Sequence, residues 1–306
     1  MPRRRKYSEG QLTLEGKKAG VHTAPCIPAI AAALESWRKN GYEGATETSR
    51  ALLKYWFHTD HRLPNGSEFR YYDAQREAVE TLIYLCEVSR VRRLKHLLVK
   101  YASLDTVQLL QFDDYPRYCF KMATGTGKTK VMALAFAWQY LNAVAEQSEE
   151  YAKTAVILAP NVIVFERLRL DFGAGHIFRA DPIVPPELAA FWDVECYVRG
   201  EGERATSNGA LYLTNIQQFY EREVQETEPR EIVDVLGTMP QEQKTQDFEG
   251  RILARGSPIL VINDEAHHTH DEDLKWNEFT RRLNGPENRL SAQLDFSATP
   301  RFAGGG

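Results

Sequence analysis

The sequence predicts an α/β domain: a mostly parallel sheet covered by helices on both faces, preceded by an N-terminal helical extension. Three observations carry this. From residue 117 onward, short continuous apolar runs alternate with longer segments of helical periodicity, the pattern of strands buried on both faces. One junction, "CFKMATGTGKT" at 119–129, is a glycine-rich turn between a strand and a helix. Two later apolar runs, in "LVINDEAHH" (260–268) and "DFSATPRF" (295–302), end in acids or hydroxyls, which places polar chemistry at strand ends.

The elements follow in order. The basic tip "PRRRK" reads as a disordered, solvated end, and residues 23–57 as helices, through "IPAIAAALESW" and "SRALLKYWF". "HRLPNGSEF" supplies turn chemistry and a boundary near residue 65, so 1–65 form the extension and 66–306 the main domain. From Tyr72 to about Lys100 the pattern is helical, with Ala74, Ala78, Leu82 and Cys86 every four residues. The basic stretch "RVRRLKHLLVK" within it reads as a solvated face. "RYCFKM", "TAVILAP", "ALYLTN", "PILVIND" and "QLDFSAT" are strands; "KTKVMALAFAWQYLNAVA" and "NVIVFERLRLDF" are helices. The charged, Gln-rich stretch 221–257 interrupts the rhythm and reads as a polar insertion.

Composition narrows the class. A net charge of -4 over 306 residues gives no global basic signature, so nucleic-acid contact requires local patches. The four cysteines (Cys26, Cys86, Cys119, Cys196) are scattered without a CxxC pair, which suggests neither a zinc site nor a disulfide framework. His267, His268 and His270 with Asp271 are spaced wrongly for one helix face and present no zinc site; His58 and His61 read as ordinary residues near the boundary loop. With neither a signal-peptide core nor a run of transmembrane length, a cytoplasmic location is expected.

The loop at 122–129 is phosphate chemistry. Gly125 and Gly127 permit backbone conformations that let successive N–H groups surround phosphate oxygens, and the following helix turns its positive end to the same anion. Thr124 and Thr126 complete the cradle, Lys128 supplies a mobile charge for the β and γ phosphates, and the Thr129 hydroxyl is placed for Mg²⁺. Met122 stands where G-x-x-x-x-G-K-[ST] begins with glycine. ATP, or another nucleoside triphosphate, is the expected ligand. Asp264 and Glu265, delivered by an apolar strand, suit a metal-holding carboxylate and a base for the attacking water. Ser297 and Thr299 end another strand with hydroxyls able to sense the γ phosphate.

A chain with these motifs in this order resembles a superfamily 2 helicase or translocase, specifically its first RecA-like P-loop NTPase domain. "ATGTGKT" resembles motif I, "DEAH" motif II, "SAT" motif III, "ILAPNVIVFERL" motif Ia and "LTNIQQF" the motif after it. "FRYYDAQREAVETLIYL" is similar to the adenine-reading segment, with Gln75 at the base reader. The wording of "MATGTGKT", "TNIQQ" and "DEAHH" is closest to the restriction (Res) subunits of type III restriction enzymes, over residues 66–302.

The resemblance implies ATP hydrolysis with Mg²⁺, coupled to movement on double-stranded DNA. It makes His267, Ser297 and Thr299 coupling residues and puts Asn161 and Thr214 near the strand-contacting positions, where each reads equally well as a helix cap or a strand-end residue. It also implies a second RecA-like domain that supplies arginines to the γ phosphate, and a DNA methyltransferase (modification) subunit as a further partner. No second domain is expected within 306 residues, so the chain is expected to be a fragment, weakly active or inactive alone. No nuclease constellation is convincing; "DEDLK" at 271–275 is a loose match. An RNA-directed helicase and a partner-dependent nucleotide-binding module remain open alternatives.

Overall fold

The computed structural model describes residues 26–63, 65–102, 115–198, 207–215, 242–256, 258–264, 272–287 and 289–298. Helix α1 (Ile27–Lys39) starts with proline in its first turn, and α2 (Glu47–His58) starts at Thr46, whose hydroxyl accepts from Ser49 N at 3.0 Å. The turn-rich stretch that follows is a small antiparallel hairpin, β1 (His61–Arg62) with β2 (Glu68–Phe69). Then comes α3 (Asp73–Ile83), which runs into a π turn at Tyr84–Val88; the chain breaks before α4 (Leu94–Ala102).

The single helix expected over 72–100 is therefore two. The buried stripe of α3 is Gln75, Val79, Leu82 and Ile83, with Glu80 beside it, rather than the column through Ala74 and Ala78. A strict four-residue column drifts around a 3.6-residue helix, and Ala74 ends up exposed. Arg90 and Arg92 of the basic stretch both pair with Glu150 at 2.8 Å.

The main sheet follows. Its strands are β3 (Arg117–Lys121), β4 (Thr154–Ala159), β5 (Val194–Val198), β6 (Gly209–Asn215), β7 (Ile259–Asn263) and β8 (Leu290–Ser297). They form a six-stranded, all-parallel sheet of order β3-β8-β7-β4-β6-β5. β5 was not expected: "VECYV" is short, half-buried and carries Glu195 and Cys196, so it lacks the continuous apolar run that marks its neighbours.

Between the strands lie α5 (Lys128–Ala145), α6 (Val162–Phe172), the short α7 (His176–Ala180), α8 (Glu242–Ala254) and α9 (Glu272–Asn284). Alternate strand residues face opposite ways. Ala155, Ile157, Leu260, Ile262, Leu294 and Phe296 share one core with α5 and α6, while Val156, Leu158, Ile259 and Val261 share another with Phe248, Ile252, Phe279 and Leu283. The second half of the charged stretch 221–257 thus contains a helix packed on the sheet, anchored by apolar residues four apart, Phe248 and Ile252.

α5 is apolar almost all round and buried on almost every side. The sheet covers one side; Leu34, Trp37, Leu52, Leu53 and Trp56 of α1 and α2 belong to the same core. A buried polar seam fixes that contact. Glu87 accepts from Ser49 Oγ (2.6 Å), Trp138 Nε1 (2.8 Å), Tyr151 OH (2.9 Å) and Thr46 N (3.0 Å), and Asn142 Nδ2 donates to Ser49 Oγ at 3.0 Å. The helices before residue 65 thereby hold the helix that begins at Lys128.

Candidate functional site

Because the strands are parallel, the turns after β3, β4, β7 and β8 all emerge at one edge, the edge where ligands of open α/β sheets bind. The chain leaves β3 for β4 three positions away, then returns to fill the gap with β7 and β8. The glycine-rich loop and Asp264 are therefore delivered by strands on either side of β8.

Met122 is not a defective glycine. Its side chain is buried in the core, and its N–H donates to Ser297 O at 3.0 Å, extending the β3–β8 ladder past Lys121↔Ser297. Stacked Phe120 and Phe296 rings, 4.6 Å apart, lie behind this root. Beyond it Ala123, Thr124 and Gly125 are exposed, and Thr126 closes a turn by donating N–H (3.3 Å) and Oγ1 (2.7 Å) to Ala123 O. Gly125 (φ +82°) and Gly127 (φ +78°) are left-handed. A Cβ on Gly127 would displace the Gln75 amide, and the left-handed backbone would strain any side chain there, so glycine is favoured.

Gln75 is 1% exposed and ties α3 to the loop. Its Oε1 accepts from Tyr72 N (2.9 Å), while Nε2 donates to Thr126 O (2.9 Å) and Gly127 O (3.4 Å). Lys128 and Thr129 are the first two residues of α5. Lys128 is buried, with Nζ 3.9 Å from Asp264 Oδ1. Lys130, on the next turn position, pairs with Asp181 and lies 4.9 Å over the Phe69 ring.

Asp264 is 1% exposed at the end of β7. Its Oδ2 accepts a 2.6 Å hydrogen bond from Arg167 Nη2 on α6, a contact between residues 97 apart that no motif announced. Behind it, Asp295 is a hub: Oδ1 accepts from Asn263 Nδ2 (2.6 Å) and Gln293 Nε2 (2.8 Å), and Oδ2 from Arg117 Nε (2.5 Å). The hub binds the residue before Asp264 to the strand that ends at Ser297. Neither Arg167 nor Asp295 was legible as a site residue; the only hint was the polar Asp295 inside an apolar strand.

The two residues suggested for strand contact have local roles. Asn161 caps α6, accepting from Val164 N at 2.9 Å, and Thr214 is fully buried within β6. Glu265, His267 and Thr299 lie outside the described residues, as do the basic tip and the first half of the 221–257 stretch. The donor set fits a hydrated Mg²⁺ and a polyphosphate. It offers a buried carboxylate, a threonine hydroxyl at a helix start, a lysine, and a left-handed glycine turn at a helix N-terminus.

The family model described as "Type III restriction enzyme, res subunit" matches residues 68–302, from β2 through β8 and over three quarters of the chain. The chain belongs to this family. At family level, 68–302 is a helicase-like, ATP-binding domain of RecA-like fold, of a kind associated with ATP hydrolysis and a metal ion. No curated protein matches the chain significantly. Among the described residues, no helix is long and apolar enough to cross a membrane.

Proposed function

We propose that this Res-family chain is the ATP-binding and hydrolysing motor domain of a DNA helicase or translocase. The observation that carries the reading is the convergence of the glycine turn, Lys128 and buried Asp264 at one sheet edge, with Lys128 Nζ 3.9 Å from Asp264 Oδ1. In this reading the backbone from Thr124 to Gly127, with Lys128, holds the phosphates, and Gln75 reads the base. Thr129 and Asp264 hold Mg²⁺, which when bound neutralises charge on the transferred phosphoryl group. Glu265 takes the proton of the attacking water. His267, Ser297 and Thr299 couple the phosphate state to the track for double-stranded DNA, with Asn161 and Thr214 near its strand-contacting positions. A second RecA-like domain closes the site: Ala123, Thr124 and Gly125 are exposed, and phosphoryl transfer needs water excluded around its charges. A DNA methyltransferase subunit is the further partner proposed, in the cytoplasm.

Two variants test the reading. Lys128→Ala should abolish binding of a fluorescent ATP analogue, and Glu265→Gln should keep binding while blocking DNA-stimulated phosphate release from the assembled enzyme. Full turnover by Glu265→Gln would remove Glu265 as the base, and undiminished binding by Lys128→Ala would remove the nucleotide site itself.

A further inference from the structure

The two oxygens of Asp264 face different cations. Oδ1 lies 3.9 Å from Lys128 Nζ, and Oδ2 takes a 2.6 Å charge-assisted bond from Arg167. The carboxylate is 1% exposed, but the Arg167 side chain is 50% exposed. A buried carboxylate cannot stay charged without a cation beside it; a guanidinium that keeps half its hydration can leave at small cost. Arg167 thus holds, from outside the phosphate loop, one of the two oxygens of the carboxylate proposed to hold the ion.

We propose that Arg167 is a displaceable latch on Asp264, occupying one oxygen of the carboxylate proposed to hold the divalent ion, and releasing it when a Mg²⁺-nucleotide binds. The proposal rests on the reading of this edge as a Mg²⁺-nucleotide site. α6 offers the released side chain a second partner. Asp171 lies four residues on, at the spacing that brings helix side chains together. It is half-buried, and burial raises its carboxyl above the ordinary value despite the opposing pull of Lys130 and Arg167. Helix spacing therefore offers Arg167 a second carboxylate, on its own helix, besides the one in the site. Since α6 starts at Asn161, the exchange couples the ion to the helix that carries a proposed strand contact.

Binding of mant-ATP, followed by fluorescence with Mg²⁺ or with EDTA, tests the latch. Arg167→Gln should bind about three- to tenfold tighter than wild type in Mg²⁺, and within about twofold of it in EDTA, as removal of one half-exposed charged hydrogen bond implies. Arg167→Lys should lie between the two. Asp171→Asn, which removes the second partner, should bind about two- to fivefold more weakly in Mg²⁺, and it carries the test should Arg167→Gln not fold. Unchanged or weaker Mg²⁺-dependent affinity in Arg167→Gln, or unchanged affinity in Asp171→Asn, overturns the latch. If wild type and Lys128→Ala bind equally, the nucleotide site itself fails; if binding needs Lys128 and Mg²⁺ yet ignores Arg167, the latch alone fails.

Discussion

Gln75→Ala measures how far the phosphate loop depends on α3 before any nucleotide arrives. The wild-type side chain makes two good hydrogen bonds, to Tyr72 N and Thr126 O at 2.9 Å each, and a longer one to Gly127 O at 3.4 Å. A net intramolecular hydrogen bond contributes about 0.5–1.5 kcal/mol, so losing the two good ones costs about 1–3 kcal/mol. The Tyr72 bond is half of a capping box at the start of α3, which keeps the figure off its lower limit; the loop carbonyls can find water again, which keeps it off the upper. About 2 kcal/mol is the expected loss, equivalent to a fall of about 4–8 °C in Tm for a domain of a few hundred residues. Gln75→Glu keeps the acceptor for Tyr72 but aims a carboxylate oxygen at two carbonyls, and should melt at least as early. The assay is thermal unfolding of the nucleotide-free protein by circular dichroism. A side chain that served only to read a base would leave that melt untouched. A Gln75→Ala midpoint within about 1 °C of wild type would refute the loop-strut argument.

Two further outcomes follow from buried groups elsewhere. Burial alone would raise the Glu80 carboxyl, but its bonds from Arg38, Tyr42 and Arg76 outweigh this and hold it below the ordinary 4.5. A depressed folded value means stability that is present above the unfolded value and lost as pH falls through the folded one. Urea unfolding should therefore show wild type weakening below about pH 4.5, and Glu80→Gln a flatter acid limb with about 1–3 kcal/mol less stability at neutral pH; parallel acid limbs would exclude Glu80 as the source. Phe248 is buried edge-on against Tyr212, centroids 5.5 Å apart, on the sheet face opposite α5. Phe248→Ala should cost about 3 kcal/mol in urea while mant-ATP affinity stays within about twofold, and a loss under about 1 kcal/mol would show that α8 does not anchor that core.

What could be read from the sequence was whatever lay in contiguous runs. The apolar strands ending at Asn263 and Ser297 announce themselves because burial on both faces leaves no room for alternation, and 117–145 because a glycine turn there joins a short strand to an almost wholly apolar helix. Long-range polar pairings did not. Arg167 looks like one more surface arginine of an amphipathic helix until folding brings β7 beside β4. Glu80 and Glu87 sit in the segment read simply as helical, and both are buried because Arg38, Tyr42, Ser49 and Trp138 arrive from distant positions. α8 hid in its composition, since Phe248, Ile252 and Leu253 suffice to dock a helix whose other positions are mostly polar.

The bond from Met122 N to Ser297 O has a mechanical meaning. It welds the foot of the glycine turn to the tip of β8, so the two travel as one rigid piece of sheet. Freedom to open and close is confined to the span between Ala123 and Gly127, with Thr126 folded back on Ala123 as its internal brace. A glycine at Met122, the residue the general motif prescribes, would keep that backbone bond but lose the buried side chain that backs it. The methionine thus adds a core anchor to the weld, and motion of the Ser297 tip reaches the root of the loop as displacement of a whole strand edge.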